Sequence, residues 1–167
     1  MRNRFVRYLI ALFIAALLLS CSTTNAPRES RTPSNRIVIL DYELNKVEFQ
    51  PGRPLSGESF EDAAKAPSAV QVRLLEGNVA FLKGASANLG AEVIGSTDNH
   101  ECIGAECRKL SLRRAECVYK WLLDHGTPAS KLKGPKGDGA DYPIGDNNTE
   151  EGRQGNRRVQ FEFVPLR

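Results

Sequence analysis

The sequence predicts an α/β sandwich of the α+β kind, with helices packed on one mixed sheet in the order strand, helix, strand, helix, strand, strand. Three observations predict it. Apolar residues recur at helical spacing in two stretches: Val72, Leu75, Val79 and Leu82, and then, after Leu110, Ala115, Val118 and Leu122. Short β-rich runs lie ahead of each stretch, at 47–49 and 91–94. The chain closes on a strict alternation, Val159-Gln160-Phe161-Glu162-Phe163-Val164. Strands alternating with helices around one core imply two packed layers.

The N-terminus opens with Arg2, Arg4 and Arg7, followed by an apolar run from Tyr8 to Leu19 and then Ser20-Cys21. A basic start, a short apolar segment and a small residue before a cleavage point describe a secretory signal over residues 1–20. The run is too short to span a bilayer, which takes roughly 20 apolar residues. Leu18-Leu19-Ser20-Cys21 also resembles the bacterial lipobox. That resemblance implies that Cys21 is lipidated and becomes the first mature residue. Ser22 in place of an aspartate implies sorting to the outer membrane, by analogy with enterobacteria. Acylation with more than one chain would anchor the protein firmly.

Charge sets a further boundary. The chain carries 23 basic and 20 acidic residues, and residues 1–20 hold three of the arginines and no acid, so the remainder balances at 20 each. No basic stripe with interleaved aromatics is present, so nucleic acid is not an expected partner. Residues 21–36 begin with Cys21 and continue polar, proline-containing and aperiodic, which predicts a flexible tether. Residues 37–167 are enough for one domain with a real core.

Within that domain, 37–42 is β-rich and Val47-Glu48-Phe49 alternates as the first strand. Residues 51–67, rich in Pro, Gly and Ser, predict a long surface loop. The first helix is expected from about 68 to about 83, with Gly77 inside it at a cost of about 1 kcal/mol relative to Ala. The second strand is Ala91-Glu92-Val93-Ile94. The second helix is expected from about 108 to about 125, stopped by Gly126 with Pro128 beyond. Val118, Trp121 and Leu122 belong to the core. Leu132-Lys133-Gly134 begins a short third strand, 134–148 reads as loop, and Thr149-Glu150-Glu151-Gly152-Arg153 as a helical turn.

The chemistry concentrates between Ile94 and Val118. Asp98 leaves the C-terminal end of a strand, and Arg114 is expected in the first turns of the helix that follows. A loop returning to the strand end would set these two charges around one small concavity. Such a couple suits a zwitterion: the carboxylate takes an ammonium, and the guanidinium takes a carboxylate by a two-pronged hydrogen bond. The reading requires the two charges to meet across an open gap. The plainer alternative is that Asp98 caps a turn and Arg114 is a helix-surface charge paired with it.

The same stretch carries a family resemblance. Thr97-Asp98, a glycine-containing loop, and then Leu110-Ser111-Leu112-Arg113-Arg114-Ala115 resemble the core motif of OmpA-like, peptidoglycan-binding domains. The resemblance continues through Gly137-Asp138-Gly139, Pro143-Ile144, and the run from Asp146 to Val159, which is similar to the family's D-N-x-T-x-E-G-R-x-x-N-R-R-V. It implies that Asp98 and Arg114 grip the diaminopimelate residue of the peptidoglycan stem peptide, with Thr97, Asn156 and Arg157 nearby. For Arg157 two roles stay open: contact with glycan or peptide carboxylates, or an ion pair supporting the second helix. Two positions depart from the family pattern. Ser96 stands where the family has histidine, and Cys107 where it has asparagine. The first-strand exit, Gln50-Pro51-Gly52-Arg53-Pro54, also differs.

Besides Cys21, the cysteines are Cys102, Cys107 and Cys117. In an oxidising compartment a disulfide is expected. Cys102–Cys107 is the expected pair, because it would staple the loop between Asp98 and Arg114. If the second helix already includes Cys107, then Cys107 and Cys117 lie about 15 Å apart along it and do not bond. A competing reading makes His100, Cys102 and Cys107 zinc ligands, on a spacing that is no strong signature. An enzymatic reading, a thiol hydrolase of wall peptides, finds no nucleophile motif around any cysteine. The sequence thus points to an outer-membrane lipoprotein that holds peptidoglycan without catalysis or cofactor. The runner-up is a periplasmic scaffold that binds a protein partner in an envelope or secretion complex.

Overall fold

The computed structural model describes residues 43–167. The signal at 1–20, the tether with Cys21 at 21–36 and the β-rich run at 37–42 lie outside the described residues. A four-stranded sheet runs in the order β1 (Val47–Glu48), β4 (Arg158–Pro165), β2 (Leu89–Gly95), β3 (Leu132–Gly137). β2 is parallel to β3 and antiparallel to β4, and β4 is antiparallel to β1, so the sheet is mixed. The alternating C-terminal run becomes an inner strand, paired along its length with Leu89 to Gly95.

Helices α1 (Phe60–Ala63), α2 (Ser68–Gly84), α3 (Ala105–Asp124) and α4 (Glu150–Asn156), with a short 3-10 turn at Ala129–Lys131, complete the described fold. The core is where the two periodicities meet. Val47, Ala91, Val93 and Val159 from the sheet pack with Leu75, Val79 and Leu82 of α2 and with Ala115, Val118 and Leu122 of α3. The expected fold class and the main elements are present.

Three boundaries differ from expectation. The 51–67 loop contains α1, whose N-cap Ser59 accepts from the Asp62 N–H at 3.2 Å. Phe60 is buried there, edge-on to Phe49 at 5.7 Å and to Trp121 at 6.0 Å. α3 starts at Ala105, three residues earlier than expected, directly after Gly104 at φ 55°. β3 extends to Gly137, because its parallel partner β2 continues to Gly95.

Close approach fixes where α3 lies. A Cβ on Gly95 would stand 1.9 Å from the Ser111 carbonyl oxygen, and one on Gly137 would stand 2.6 Å from the Leu112 nitrogen. Two side-chain-free strand ends let the helix backbone rest on them. That contact puts the middle of α3, and with it Arg114, above the C-terminal ends of β2 and β3.

Candidate functional site

Beyond Gly95 the chain leaves the sheet in two steps. Ser96 N donates to the Arg158 carbonyl at 2.9 Å, and Thr97 N to the Gly139 carbonyl at 2.8 Å. Gly139 N in turn donates to Ser111 Oγ at 2.9 Å, which ties the 138–139 turn to α3. Asp98 follows, 1 % exposed. Its Oδ1 accepts from the N–H groups of His100 and Glu101 at 2.7 and 2.8 Å, and its Oδ2 from Arg157 Nη1 at 2.6 Å. Burial pushes the Asp98 carboxyl up, but the Arg157 bond and the two backbone N–H bonds together hold it below the usual carboxylate range. Arg157 Nη2 continues to Glu150 Oε1 at 2.6 Å and Gln154 Oε1 at 2.9 Å. Burial works against the Arg157 charge, and Asp98 and Glu150 more than offset it, so its affinity for the proton rises.

Arg114 lies midway along α3 rather than in its first turns, a consequence of the early start at Ala105. It is fully buried. A guanidinium offers five N–H donors, and five acceptors meet them. Nε donates to the Arg53 carbonyl at 2.8 Å; Nη1 to the Ser96 carbonyl at 2.9 Å and Glu101 Oε1 at 2.6 Å; Nη2 to the Gln50 carbonyl at 3.3 Å and Glu101 Oε2 at 2.8 Å. The guanidinium carbon sits 5.4 Å from the centre of the Phe49 ring, in reach of a cation–π contact.

The expected open gap between Asp98 and Arg114 is therefore closed. Glu101 fills it, its side chain 4 % exposed. Its Oε1 also accepts from the Asp98 N–H at 3.3 Å, and its Oε2 from the Gly52 N–H at 2.7 Å. The plainer alternative is corrected as well. Asp98 does cap a turn, but Arg114 is buried and its ion pair is with Glu101, while Asp98 pairs with Arg157.

The other expected residues fall around this centre. Thr97 is buried beside Asp98. Asn156 is buried and fully engaged in shaping the neighbouring loop. Its Oδ1 accepts from Ile144 and Gly145, and its Nδ2 donates to the Gly145 carbonyl and Asn147 Oδ1. Among the described residues, four buried side-chain polar atoms lack a protein partner. Three belong to this site: Ser96 Oγ, Thr97 Oγ1 and Arg157 Nε. Buried polar atoms are ordinarily satisfied, so these three have hydrogen-bonding capacity that the protein itself does not use.

Sequence reasoning missed Glu101, Gly52 and Arg53. A signal for Glu101 exists. Asp98-Asn99-His100-Glu101 is a capping-box spacing, in which the first side chain takes the fourth residue's N–H and the fourth side chain reaches back. Both halves are present here. Nothing in the sequence pairs Gly52 or Arg53 with a residue so far along the chain.

Cys102 and Cys107 form the expected disulfide, with Cα atoms 5.0 Å apart. Joined, they offer no thiolates, so the zinc reading of His100, Cys102 and Cys107 fails. α3 includes Cys107, and Cys117 is free and half-buried. Burial first, then Glu61 and Glu58, pushes the Cys117 thiol up to about 11. That is the wrong direction for a nucleophile. No helix among the described residues is long and apolar enough to cross a membrane.

Comparison with known proteins gives consistent results. The OmpA family matches residues 68–157. Outer membrane protein A of Bordetella avium is 40% identical over 78 residues, 46% of this chain and 40% of the relative. Outer-membrane lipoprotein YfiB of Pseudomonas aeruginosa is 43% identical over 71 residues, 42% of this chain and 40% of the relative. This chain thus spans less than half the length of these curated relatives. Among solved structures, the C-terminal domain of Helicobacter pylori MotB superposes with a TM-score of 0.57 at 22% identity, covering 72% of this chain and 84% of that one. The peptidoglycan-associated lipoprotein from Burkholderia pseudomallei superposes with a TM-score of 0.57 at 18% identity, covering 71% and 89%. At these identities the likeness is one of fold.

Proposed function

This chain belongs to the OmpA family, and on that premise we propose that its domain binds peptidoglycan without covalent attachment. The stem peptide's diaminopimelate is the ligand: its carboxylate is received at Arg114 and its ammonium at Asp98. Thr97 and Arg157 line the same place, and Asn156 holds the adjoining loop in position. One observation carries the reading. Asp98, Arg114 and Arg157 are buried in a single network at the strand ends, with Ser96 Oγ, Thr97 Oγ1 and Arg157 Nε left without a partner. Binding at Arg114 requires Glu101 to yield its place.

Co-sedimentation of the soluble domain with diaminopimelate-type sacculi tests this. Wild type is expected in the pellet. Asp98→Asn and Arg114→Lys, conservative changes checked for fold by circular dichroism, are expected in the supernatant. Losing one partner of a buried charge-assisted contact costs about 2–5 kcal/mol of binding. Retention of both folded variants at wild-type level refutes the site.

We also propose that Cys21 is lipidated and that the protein sits at the outer membrane with its domain in the periplasm. The lipobox-like Leu18-Leu19-Ser20-Cys21 supports this, as does the name of the relative YfiB, an outer-membrane lipoprotein. Acyl label incorporated into wild type and absent from Cys21→Ala is the expected result. Equal labelling removes the anchor.

A second reading, a scaffold binding a protein partner in an envelope assembly, has one observation in its favour. Every Arg114 donor already has an acceptor within the domain. A folded wild-type domain that stays entirely in the supernatant with sacculi would favour it.

A further inference from the structure

The contacts around Glu101 describe a carboxylate receptor, and we infer that Glu101 is its tethered occupant, a built-in competitor for the ligand's own carboxylate. The inference deepens the peptidoglycan reading and rests on it for the identity of the incoming ligand.

Four donors converge on one carboxylate. Arg114 Nη1 and Nη2 supply the two-pronged face at 2.6 and 2.8 Å. The N–H of Gly52 meets Oε2 at 2.7 Å, and that of Asp98 meets Oε1 at 3.3 Å. These donors come from three separate parts of the chain: the exit of β1, the exit of β2 and the middle of α3. The fit belongs to the fold and does not arise from one flexible loop. Gly52 takes φ +69°, a conformation that favours glycine, and its N–H points at the carboxylate from there. The Arg114 and Glu101 side chains are 0 % and 4 % exposed, so their two-pronged contact is made largely out of water.

The occupant is delivered differently. Glu101 sits on the loop between β2 and α3, directly before Cys102, whose disulfide to Cys107 draws that loop to the first turn of the helix. Ile103 at the loop's tip is 88 % exposed. Glu101 is thus delivered by the β2–α3 loop, whereas three of its four donors, Arg114 Nη1 and Nη2 and the Gly52 N–H, come from other parts of the chain. A tethered group acts at a high effective concentration, in the millimolar range for short flexible links. A free carboxylate must outcompete it, and its apparent dissociation constant rises by the inverse of the fraction in which Glu101 is out. Only a ligand with a second foothold, such as an ammonium at Asp98, gains enough to exchange. On this account Glu101 filters simple carboxylates from the zwitterionic one.

Two probes test it. The first is sodium acetate, titrated against matched sodium chloride, with the amide signals of Gly52 and Asp98 followed by NMR. Glu101→Ala is expected to respond saturably and to gain thermal stability with acetate, while wild type does neither. Glu101→Gln keeps the side chain's shape but not its charge, and carries the same measurement should the alanine variant not fold. The second probe is a soluble diaminopimelate-containing stem peptide. Both Glu101 variants are expected to bind it at least about tenfold more tightly than wild type, and Arg114→Lys weakly or not at all. A folded Glu101 variant with no acetate response and wild-type peptide affinity overturns the inference. An acetate response with no peptide binding by any form supports the receptor and overturns the peptidoglycan reading.

Discussion

At the scale of single residues the site is a set of buried charges, each held by a particular opposite. Asp98 gives a pH prediction with a definite sign. Its folded-state proton affinity is depressed, so the folded protein binds fewer protons here than the unfolded chain, whose aspartate titrates near about 3.9. The stabilisation is complete above that value and is lost as pH falls through the lower folded value. Denaturant midpoints measured between pH 6 and pH 2.5 should fall on acidification in wild type and fall less steeply in Asp98→Asn. Parallel curves would show that Asp98 does not report the network. Arg114 and Glu101 give a second test. Removing one partner of a buried pair costs about 3–5 kcal/mol, whereas replacing both by apolar residues is much milder. Arg114→Met should therefore be severely destabilising, and adding Glu101→Leu should recover most of the loss. Additive losses would deny the coupling. Of this network, the sequence exposed Asp98, Arg114 and the Cys102–Cys107 staple, because each is marked by neighbours within a few positions. The pairings Asp98–Arg157 and Arg114–Arg53 carbonyl join residues about 60 positions apart, and no local pattern encodes them.

At the scale of elements, periodicity was a good guide wherever an element is long and half-buried. α2 and α3 announce themselves through Val72, Leu75, Val79 and Leu82, and through Ala115, Val118 and Leu122. β4 announces itself by its alternation. The four-residue α1 is too short for periodicity to register, although Ser59 with Asp62 three residues on is a cap signal. Elements also explain why Arg114 reaches the strand ends. The carbonyl of Ser111 lies where a Gly95 side chain would be, so Gly95→Ala forces either the helix or the strand to move. Overpacking of this kind typically costs 1–3 kcal/mol, and a backbone contact at 1.9 Å puts it at about 3 kcal/mol or more. Thermal unfolding of Gly95→Ala against Gly84→Ala makes the comparison, since a Cβ at Gly84 meets nothing. Equal midpoints would remove the close approach as the device that seats α3. If Gly95→Ala still folds, displacement of α3 should also weaken sacculus binding, although residue 95 touches no ligand in the proposed site.

At the scale of the whole molecule, the two readings meet in a question of affinity. A receptor partly occupied by its own Glu101 binds one ligand moiety modestly, because each binding event first expels a tethered competitor. A peptidoglycan layer presents that moiety many times, and lipidated copies at Cys21 would present the domain many times. Two arrays joined by weak contacts hold far more firmly than one contact, with gains of 10²–10⁴ without any new interaction. The low single-site affinity then allows individual contacts to exchange while the array stays attached. Displaying the domain at high density on vesicles, through a histidine tag and chelating lipids, should slow its release from sacculi at least about a hundredfold relative to the same domain in solution. Glu101→Gln should slow release of the soluble domain most, since the displayed form is already held by numbers. Identical release rates for displayed and soluble wild type would mean that attachment does not work by multiplicity, and a single tight contact to a protein partner would then be the better account of what this domain holds.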